Sequence, residues 1–499
     1  MIAHLLPLLA QATDPTAPIP TPELVVKPVV PELFLWGAGI VGMLYEAFTR
    51  RSDRVIHLAI VLLGLAGALV VAVQLWDWTG APLVLGDTVA VDRFSVLATV
   101  ILVVVAAFGC VYYTHEAGRE PARYRGEFYP LLAFATGGMV LITAANDLIL
   151  VFLALEILSL ALYVLTGLGG RRSHEAAVKY FLLGAFSSAF FLYGVALAYG
   201  ATASTKIVAI VGALGGQTGS QALALTAMGL LVIGFGFKIS AAPFHMWTPD
   251  VYQGAPTPVT AYMSAATKVA AFFALMRVFN VGLQPLTWDW TPILYGLAVV
   301  SVIVGAGLAA VQQDVKRMLA YSSVAHAGFI LAGLTSANTT GIRAAMFYLI
   351  AYSVMTLGAF GVTMLVATRS AESSTYDNYD GLAARSPGLA ALLTVFLLSL
   401  AGIPPTVGFI AKLTVFGSAI QAGNWPLAVL CVLASVVAAY AYLRVVVRMY
   451  FRQPRADVVD DRAMLPQAAG LVLAIAVVVL GVFPRLVSGI IERASILRW

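Results

Sequence analysis

Apolar residues follow one another along this chain in runs of about 20, separated by short polar segments. About 20 helical residues cross the roughly 30 Å of hydrocarbon in a bilayer, so each run predicts a membrane-spanning helix. The fourteen predicted helices lie near residues 31–49, 55–76, 89–113, 128–145, 147–168, 175–200, 223–252, 257–281, 291–312, 317–335, 342–368, 387–420, 424–450 and 465–490.

Two of the predicted helices contain residues that interrupt a continuous helix. Pro243 falls within one of them, and Gly402, Pro404 and Pro405 fall within the other. Proline has no backbone N–H and clashes with the preceding turn. Inside a membrane, the freed backbone groups are tolerated only where protein or a wet cavity satisfies them. Both breaks therefore predict hydrated gaps inside the helix bundle.

The interrupted helices are the seventh and the twelfth, and each is the fourth helix of a block of five. Because five is odd, successive blocks enter the membrane from opposite faces, which predicts an inverted repeat. The expected fold is an all-α polytopic membrane protein with about 14 transmembrane helices, two inverted five-helix repeats and two broken helices. The predicted units are an N-terminal arm (1–30), helices one to three (31–127), a first repeat (128–281, helices four to eight), a second repeat (291–451, helices nine to thirteen), and helix fourteen with the C-terminus (465–499).

The composition fits a membrane protein and argues against several soluble classes. Hydrophobic residues make up 61% of the chain and charged residues 11%, against about 25% charged residues in soluble domains. The chain is therefore expected to lie in a lipid bilayer. Its net charge of +5 comes from basic residues in particular loops, so no nucleic-acid partner is expected. Cys110 and Cys431 lie in separate apolar runs, and no nucleotide-binding loop or metal-ligand spacing is present. No cofactor or metal is therefore expected on this chain.

The distribution of lysine and arginine predicts the orientation in the membrane. An even number of helices places both termini on one side, and cytoplasmic loops carry the excess of basic residues. More than half of the 29 basic residues fall in the odd-numbered loops, Lys316 among them, and few in the termini and even-numbered loops, to which Arg277 is assigned. Both termini are therefore expected on the periplasmic side of a bacterial inner membrane, with a mitochondrial membrane less favoured. The N-terminal arm lacks a basic leading segment, so it is expected to remain uncleaved against the outer surface.

Five charged residues within the apolar runs form the candidate functional set, namely Glu156, Lys179, Lys238, Lys268 and Lys412. A charge at the centre of a spanning helix costs about 2.5–3.5 kcal/mol on insertion scales, so each needs a partner or water. Glu156 has no charged neighbour along its own helix, and Lys238, beside the first break, is its favoured partner. A structural ion pair is the alternative, although one acid does not neutralise four bases.

The positions of the other three lysines support a functional role to different degrees. Lys268 lies in mid-helix among small residues that allow close packing, and Lys412 follows the second break by about two turns. Lys179 is a turn or two from a basic loop, so snorkelling to the interface competes with a functional role.

Two histidines and one further acid complete the candidates. His245 and His326 either titrate near neutral pH or are hydrogen-bonded core residues. Asp147 opens the fifth predicted helix, and we expect it to cap that helix rather than to carry protons.

Several motifs resemble one family of membrane proteins, namely LALEILSLALYVL, AAVKYFLLGAFSSA, GFGFKISAAPFHMWTPDVYQGAPTPVTAY, SAATKVAAF, QQDVKRMLAYSSVAHAG and LAGIPPTVGFIAKL. On these motifs the chain is identified as a member of the antiporter-like membrane subunits of proton-pumping NADH-quinone oxidoreductase, respiratory complex I. That family is similar to subunits of multi-component sodium/proton antiporters.

The resemblance implies proton translocation coupled to electron transfer from NADH to quinone. It implies that Glu156 and Lys238 pair, that Lys268 is a central relay and that Lys412 is the exit group, with Lys179 matching a family lysine and the histidines completing the relay. NADH, FMN, iron–sulfur clusters and quinone are expected on partner subunits, and the neighbours of this chain would be other membrane subunits of complex I.

Two alternatives stay open. One is a cation/proton antiporter subunit of a multi-component antiporter, which copurification with NADH dehydrogenase subunits would argue against. The other is a structural scaffold subunit, against which the five intramembrane charges argue.

Overall fold

The computed structural model describes residues 25–49, 53–119, 124–216, 220–368, 374–454, 458–461 and 463–495, and within them the chain is almost entirely α-helical. The first ten helices are α1 (Val30–Phe48), α2 (Arg54–Leu75), α3 (Arg93–Arg119), α4 (Phe128–Ala144), α5 (Leu148–Thr166), α6 (Arg171–Thr202), α7 (Ile207–Gly215), α8 (Gln221–Lys238), α9 (Trp247–Gly254) and α10 (Thr257–Arg277). The next nine are α11 (Thr287–Val311), α12 (Val315–Leu334), α13 (Thr339–Leu365), α14 (Leu382–Arg385), α15 (Pro387–Ala401), α16 (Val407–Gln421), α17 (Trp425–Phe451), α18 (Met464–Val482) and α19 (Arg485–Ala494).

Polar side chains begin several of these helices by accepting hydrogen bonds from first-turn backbone N–H groups, which have no intrahelical partner. Asp147 accepts from the backbone N–H of Ile149 at 2.8 Å at the start of α5, which confirms its predicted role as a cap. Asp53 does the same for α2 and Asp314 for α12. The short polar segments between apolar runs therefore fix where the helices begin.

The centre of the bundle is formed by α10 and α13. The most apolar window of the helical segment that contains α10 is 100% buried, and that of α13 is 89% buried. These two helices pack against each other, and α10 also packs against α3 and α4. In outer helices such as α2 and α18 only 33% of the most apolar window is buried, as expected for helices that face lipid or other membrane subunits.

Each predicted membrane segment contains a helix in the structure, which confirms the predicted fold class. In the described part of the chain, 11 helical segments are long and apolar enough to cross a membrane, while α4, α15 and α16 are apolar but shorter. The count of 14 crossings and the grouping into two inverted repeats stay predictions.

Two predicted helix boundaries were wrong because short strands take their place. The third predicted helix starts near 89, whereas Val89–Ala90 forms a strand, β2, that pairs antiparallel with β1 (Leu83–Val84). The eleventh was predicted to reach 368, whereas Val366–Thr368 forms β3, which pairs antiparallel with β4 (Val458–Asp460). Each strand is only two or three residues long, so hydrophobic periodicity gives no signal for it.

The two ends of the chain also differ from the prediction. The last predicted helix, 465–490, is divided into α18 and α19, with Pro484 directly before α19, and proline does not continue a helix. Most of the predicted N-terminal arm, residues 1–24, lies outside the described residues. Its last part is a 3-10 turn, Lys27–Val29, that leads directly into α1.

Candidate functional site

The first break separates α8 from α9, and residues 239–246 between them are not helical, which confirms the break predicted at Pro243. Side chains from the rest of the bundle satisfy its backbone. The backbone N–H of Ala242 donates to the hydroxyl of Ser301 on α11 at 2.9 Å. The indole N–H of Trp247 donates to the carbonyl of Phe237 at 3.0 Å. The break is thus an ordered segment that is stabilised by hydrogen bonds inside the protein.

Lys238 is the last residue of α8, and it is buried, with 4% of its surface exposed. Its ammonium donates to the hydroxyl of Ser159 on α5 at 2.6 Å. The Nζ also lies 5.7 Å from the ring of Tyr163, 5.9 Å from that of Tyr180 and 5.6 Å from that of Phe237. A buried amine in this position is held by one hydroxyl and three aromatic rings.

Glu156, on α5, is partly buried, and its Oε1 accepts a short hydrogen bond from the hydroxyl of Ser188 on α6. It lies three residues before Ser159, so the two side chains share one face of α5. Among the described residues, Glu156 and Lys238 do not form an ion pair within 4.0 Å. The two predicted partners each bond to a different serine hydroxyl, Glu156 to Ser188 and Lys238 to Ser159, rather than to each other.

Lys268 lies in the middle of α10 and is completely buried. Its ammonium donates to the carbonyl of Ile239 at 2.7 Å, one residue beyond Lys238 in the first break. The Nζ lies 5.8 Å from the ring of Tyr352 on α13. The interruption of the helix thus leaves a carbonyl available to accept from this lysine.

The second break separates α15 from α16, as predicted, at Gly402–Thr406. Lys412, on α16, is buried and donates to the carbonyl groups of Leu400 at 2.9 Å and Ala401 at 2.8 Å, at the end of α15. It also donates to the hydroxyl of Ser435 on α17 at 2.6 Å. Gly402 has φ +85°, and an added Cβ there would lie 2.9 Å from the Lys412 Cδ. The glycine allows both the left-handed turn and the approach of the lysine.

His326, on α12, is buried, and its Nδ1 is hydrogen-bonded to the hydroxyl of Tyr348 at 2.7 Å. Its ring centroid lies 5.3 Å from that of Tyr352 and 5.7 Å from that of Phe329. Tyr352 is the ring next to Lys268, and Phe329 is the ring 5.3 Å from the Nζ of Lys412. His326 therefore occupies the space between the two lysines. It is buried and hydrogen-bonded, and its part in proton transfer stays a prediction.

Lys179 and His245 are not brought into this line. Lys179 is exposed and forms ion pairs with Glu175 at 2.8 Å and Asp250 at 2.9 Å. His245 lies in the first break and is partly buried, with its ring centroid 6.3 Å from that of Tyr321. The position of Lys179 favours the interpretation of a lysine that reaches the edge of the bundle.

Two buried basic residues were wrongly assigned to loops from the sequence. Arg277 is the last residue of α10, and its guanidinium forms a bidentate ion pair with Asp92, at 2.9 and 3.0 Å. Its Nε also donates to the carbonyl of Thr143 at 2.9 Å. Lys316, near the start of α12, is buried and donates to the carbonyl of Ala255 at 2.6 Å. Arg277 lies within the predicted helix 257–281, so the sequence already indicated that this residue is helical and not in a loop.

The chain is similar to known proteins over most of its length. The family model described as NADH:quinone oxidoreductase/Mrp antiporter, transmembrane, matches residues 145–438. NADH-quinone oxidoreductase subunit N of Rhodococcus opacus is 42% identical, with 96% of this chain and 98% of that protein covered. The protein of the same name from Mycobacterium tuberculosis is also 42% identical, with 96% and 99% covered.

Solved structures are similar over nearly the whole chain. A chain of respiratory complex I from Thermus thermophilus with bound Aureothin has a TM-score of 0.78 and 36% identity, covering 92% of this chain and 98% of that one. A chain of the Mrp complex from Dietzia has a TM-score of 0.82 at 20% identity, covering 95% and 97%. At that identity, the second likeness concerns the fold alone.

Proposed function

The chain belongs to the NADH:quinone oxidoreductase/Mrp antiporter family and is a membrane subunit of NADH-quinone oxidoreductase, and we propose that it translocates protons along a relay of buried side chains. The relay runs through Glu156, Lys238, Lys268, His326 and Lys412. The driving force comes from electron transfer on partner subunits, which carry the NADH, FMN, iron–sulfur and quinone chemistry. This chain contributes the proton route and no redox centre of its own.

One observation supports this function above the others: the acceptors of the three buried lysines are neutral. Lys238 donates to a serine hydroxyl, Lys268 to a carbonyl, and Lys412 to two carbonyls and a serine hydroxyl. No described carboxylate lies within 4.0 Å of any of the three ammonium groups. Neutral acceptors offset the cost of burying an ammonium less than a carboxylate does, so the charged and neutral forms of these amines are closer in free energy.

The buried pair of Arg277 and Asp92 shows the contrasting arrangement inside the same protein. Both side chains are buried, and the guanidinium has a bidentate carboxylate partner. Arginine effectively never loses its proton in a protein, and the paired carboxylate stabilises its charge. This pair is suited to holding α10 to the start of α3, and the lysines are suited to releasing and accepting protons.

The order of the relay follows from shared contacts. Glu156 and Ser159 share a face of α5, and Ser159 accepts from Lys238. Lys268 donates to Ile239, the residue after Lys238. The line continues to Lys412 past His326, whose ring lies between the aromatic side chains next to Lys268 and Lys412. Lys412 lies at the end of this line and is the proposed exit group.

Blocking the acidic end of the relay tests this function. Glu156→Gln and Lys238→Ala should each lower proton pumping and quinone reduction together, by roughly tenfold or more, because a positioned side chain that transfers protons as a general acid or base contributes about 10²–10⁴-fold to a reaction rate. The measurement is NADH-driven proton uptake and quinone reduction in sealed vesicles, with subunit content checked by mass spectrometry. Lys206→Ala, in the exposed ion pair with Asp87, is the matched control. Full coupled activity in either relay variant, at normal subunit content, would refute the relay.

We also propose that both termini face the periplasm, across a bacterial inner membrane. An excess of arginine and lysine in the odd-numbered loops supports this orientation. A tag placed after Trp499 should be labelled by an impermeant reagent in intact spheroplasts and should be protected in inverted vesicles. Labelling only from the cytoplasmic side would show that the number of crossings or the orientation is different.

A further inference from the structure

Three aromatic rings surround the ammonium group of Lys238. They come from three different helices, Tyr163 on α5, Tyr180 on α6 and Phe237 on α8, and all three centroids lie 5.6–5.9 Å from the Nζ. An ammonium within about 6 Å of an aromatic face is attracted by the ring quadrupole, and more strongly when it is removed from water. By comparison, Lys268 and Lys412 each lie within 6 Å of one ring among the described residues.

The three rings are held in place by their own contacts. The rings of Tyr163 and Tyr180 meet edge to face, with centroids 4.7 Å apart. Tyr180 stacks on Trp247, with centroids 4.5 Å apart and planes 9° from parallel. Trp247 is the first residue of α9, and its indole also donates to the Phe237 carbonyl. The second half of the broken helix therefore supports the rings that face the lysine of the first half.

A glycine makes room for one of these rings. Gly184, on α6, packs against Tyr163, and a Cβ added to Gly184 would overlap the Tyr163 hydroxyl and lie 2.7 Å from its Cζ. The Tyr163 ring could not keep its position if this residue carried a side chain. The position of the ring therefore depends on Gly184.

We propose that Tyr163, Tyr180 and Phe237 form an aromatic cage that positions the Lys238 ammonium and stabilises its protonated form apart from Glu156. The cage rests on the proposed proton relay and adds positioning residues to it. In the structure, Glu156 is bonded to Ser188 while Lys238 is bonded to Ser159 beside the cage. The cage thus offers the charged amine three aromatic faces at a position where it does not contact the carboxylate directly.

The titratable groups near Lys238 come from four elements. Glu156 and Tyr163 lie on α5, and Tyr180 lies on α6. Lys268 of α10 bonds to the carbonyl of Ile239, and His245 lies in the break. Among these groups, the aromatic rings are the ones that can be replaced without altering a charge.

Replacing the ring of Tyr163 tests the cage. Losing one cation–π partner lowers the stability of the protonated amine, so Tyr163→Leu should lose pumping at a lower pH than the parent, with the alkaline limb of the profile shifted by about half to one pH unit. Tyr163→Phe keeps the ring and should retain the parent profile. Tyr193→Leu, at an exposed tyrosine on α6, is the control for the loss of an aromatic side chain elsewhere. The measurement is NADH-driven proton pumping in sealed vesicles between pH 6 and 9, expressed as the ratio of variant to parent.

Gly184→Ala provides a second variant that removes no titratable group. It should shift the alkaline limb in the same direction as Tyr163→Leu, because the added methyl group displaces the ring. A uniform loss of pumping at all pH values in both variants, or an equal shift in Tyr163→Phe, would overturn the cage. Full pumping in Lys238→Ala would instead refute the relay itself, so the two failures are distinguishable.

Discussion

The two breaks present the same freed backbone groups, but the side chains that satisfy them come from different places. At the first break, Lys268 of α10 donates to Ile239, and Ser301 of α11 accepts from Ala242. At the second break, Lys412 belongs to α16 itself and bonds back to the end of α15. Ser399 of α15 likewise accepts from the backbone N–H of Gly408 in α16. The first break is held by neighbouring helices as well as by its own two halves, which Trp247 and Phe237 join, whereas the second is held mainly by its own two halves.

This difference indicates how movement would act on each lysine. Ser301 lies in the predicted second repeat, whereas the first break lies in the predicted first repeat, so a shift of α11 against α8 would alter the first break. The second break would change mainly when α15 and α16 move relative to each other, or when α17 moves and Ser435 with it. The first break is thus the better placed of the two to sense a displacement between the two halves of the bundle.

The largest expected effect comes from replacing Lys412, at the second break, with a residue that stays positively charged. Lys412→Arg keeps the positive charge, but a guanidinium effectively never deprotonates in a protein. We expect the variant to assemble and yet to pump as poorly as Lys412→Ala, about 10²-fold or more below the parent, as for the loss of a proton-transfer group. The measurement is the rate of NADH-driven proton uptake in sealed vesicles, compared at equal subunit content. Lys206→Arg, at an exposed ion pair, is the control, and a parent-like rate of proton uptake in Lys412→Arg would make Lys412 a fixed charge.

A smaller effect is expected from removing one serine at each break. Ser301→Ala leaves the buried N–H of Ala242 without its acceptor, and Ser399→Ala does the same to that of Gly408, at a cost of about 1–3 kcal/mol each. Because only Ser301 belongs to a helix outside its break, Ser301→Ala should also lower coupled activity, whereas Ser399→Ala should lower stability alone. Stability is measured by heating the complex and following maleimide labelling of the buried Cys110 and Cys431 by mass spectrometry. Equal activity losses in the two variants would contradict the distinction between the breaks.

The smallest effects concern the left-handed residue at each break, Gly402 with φ +85° and Ser240 with φ +61°. Gly402→Ala should destabilise the second break by about 1–2 kcal/mol, because a Cβ is unfavourable in this region of φ and ψ, and it should disturb Lys412. Ser240→Gly should change the stability of the first break by less than about 1 kcal/mol, because relief of strain is offset by the greater freedom of glycine in the unfolded chain. The same labelling experiment measures both. A larger effect of Ser240→Gly than of Gly402→Ala would reverse this ranking.

The sequence by itself determined the fold class and the positions of both breaks. Apolar runs long enough to cross a bilayer leave few alternatives to helices, because backbone polar groups in lipid must be satisfied within the segment. Pro243 in one run, and Pro404 and Pro405 in another, then interrupt the helices at positions that need no tertiary information. The buried lysines were visible for the same reason, since a charge in an apolar run stands out from its surroundings.

Only the tertiary structure decided what each of those side chains touches. Glu156 and Lys238 were expected to pair, yet Glu156 bonds to Ser188 and Lys238 bonds to Ser159. The sequence did not predict these contacts, because a serine in an apolar run gives no sign of which side chain it will bond to. Arg277, which was assigned to a loop, is a buried helical residue whose carboxylate partner, Asp92, lies 185 residues away along the chain. Hydrophobic periodicity records the face and depth of a residue along its own helix. The partners across the bundle depend on how separate helices pack, and that information is spread over the whole chain.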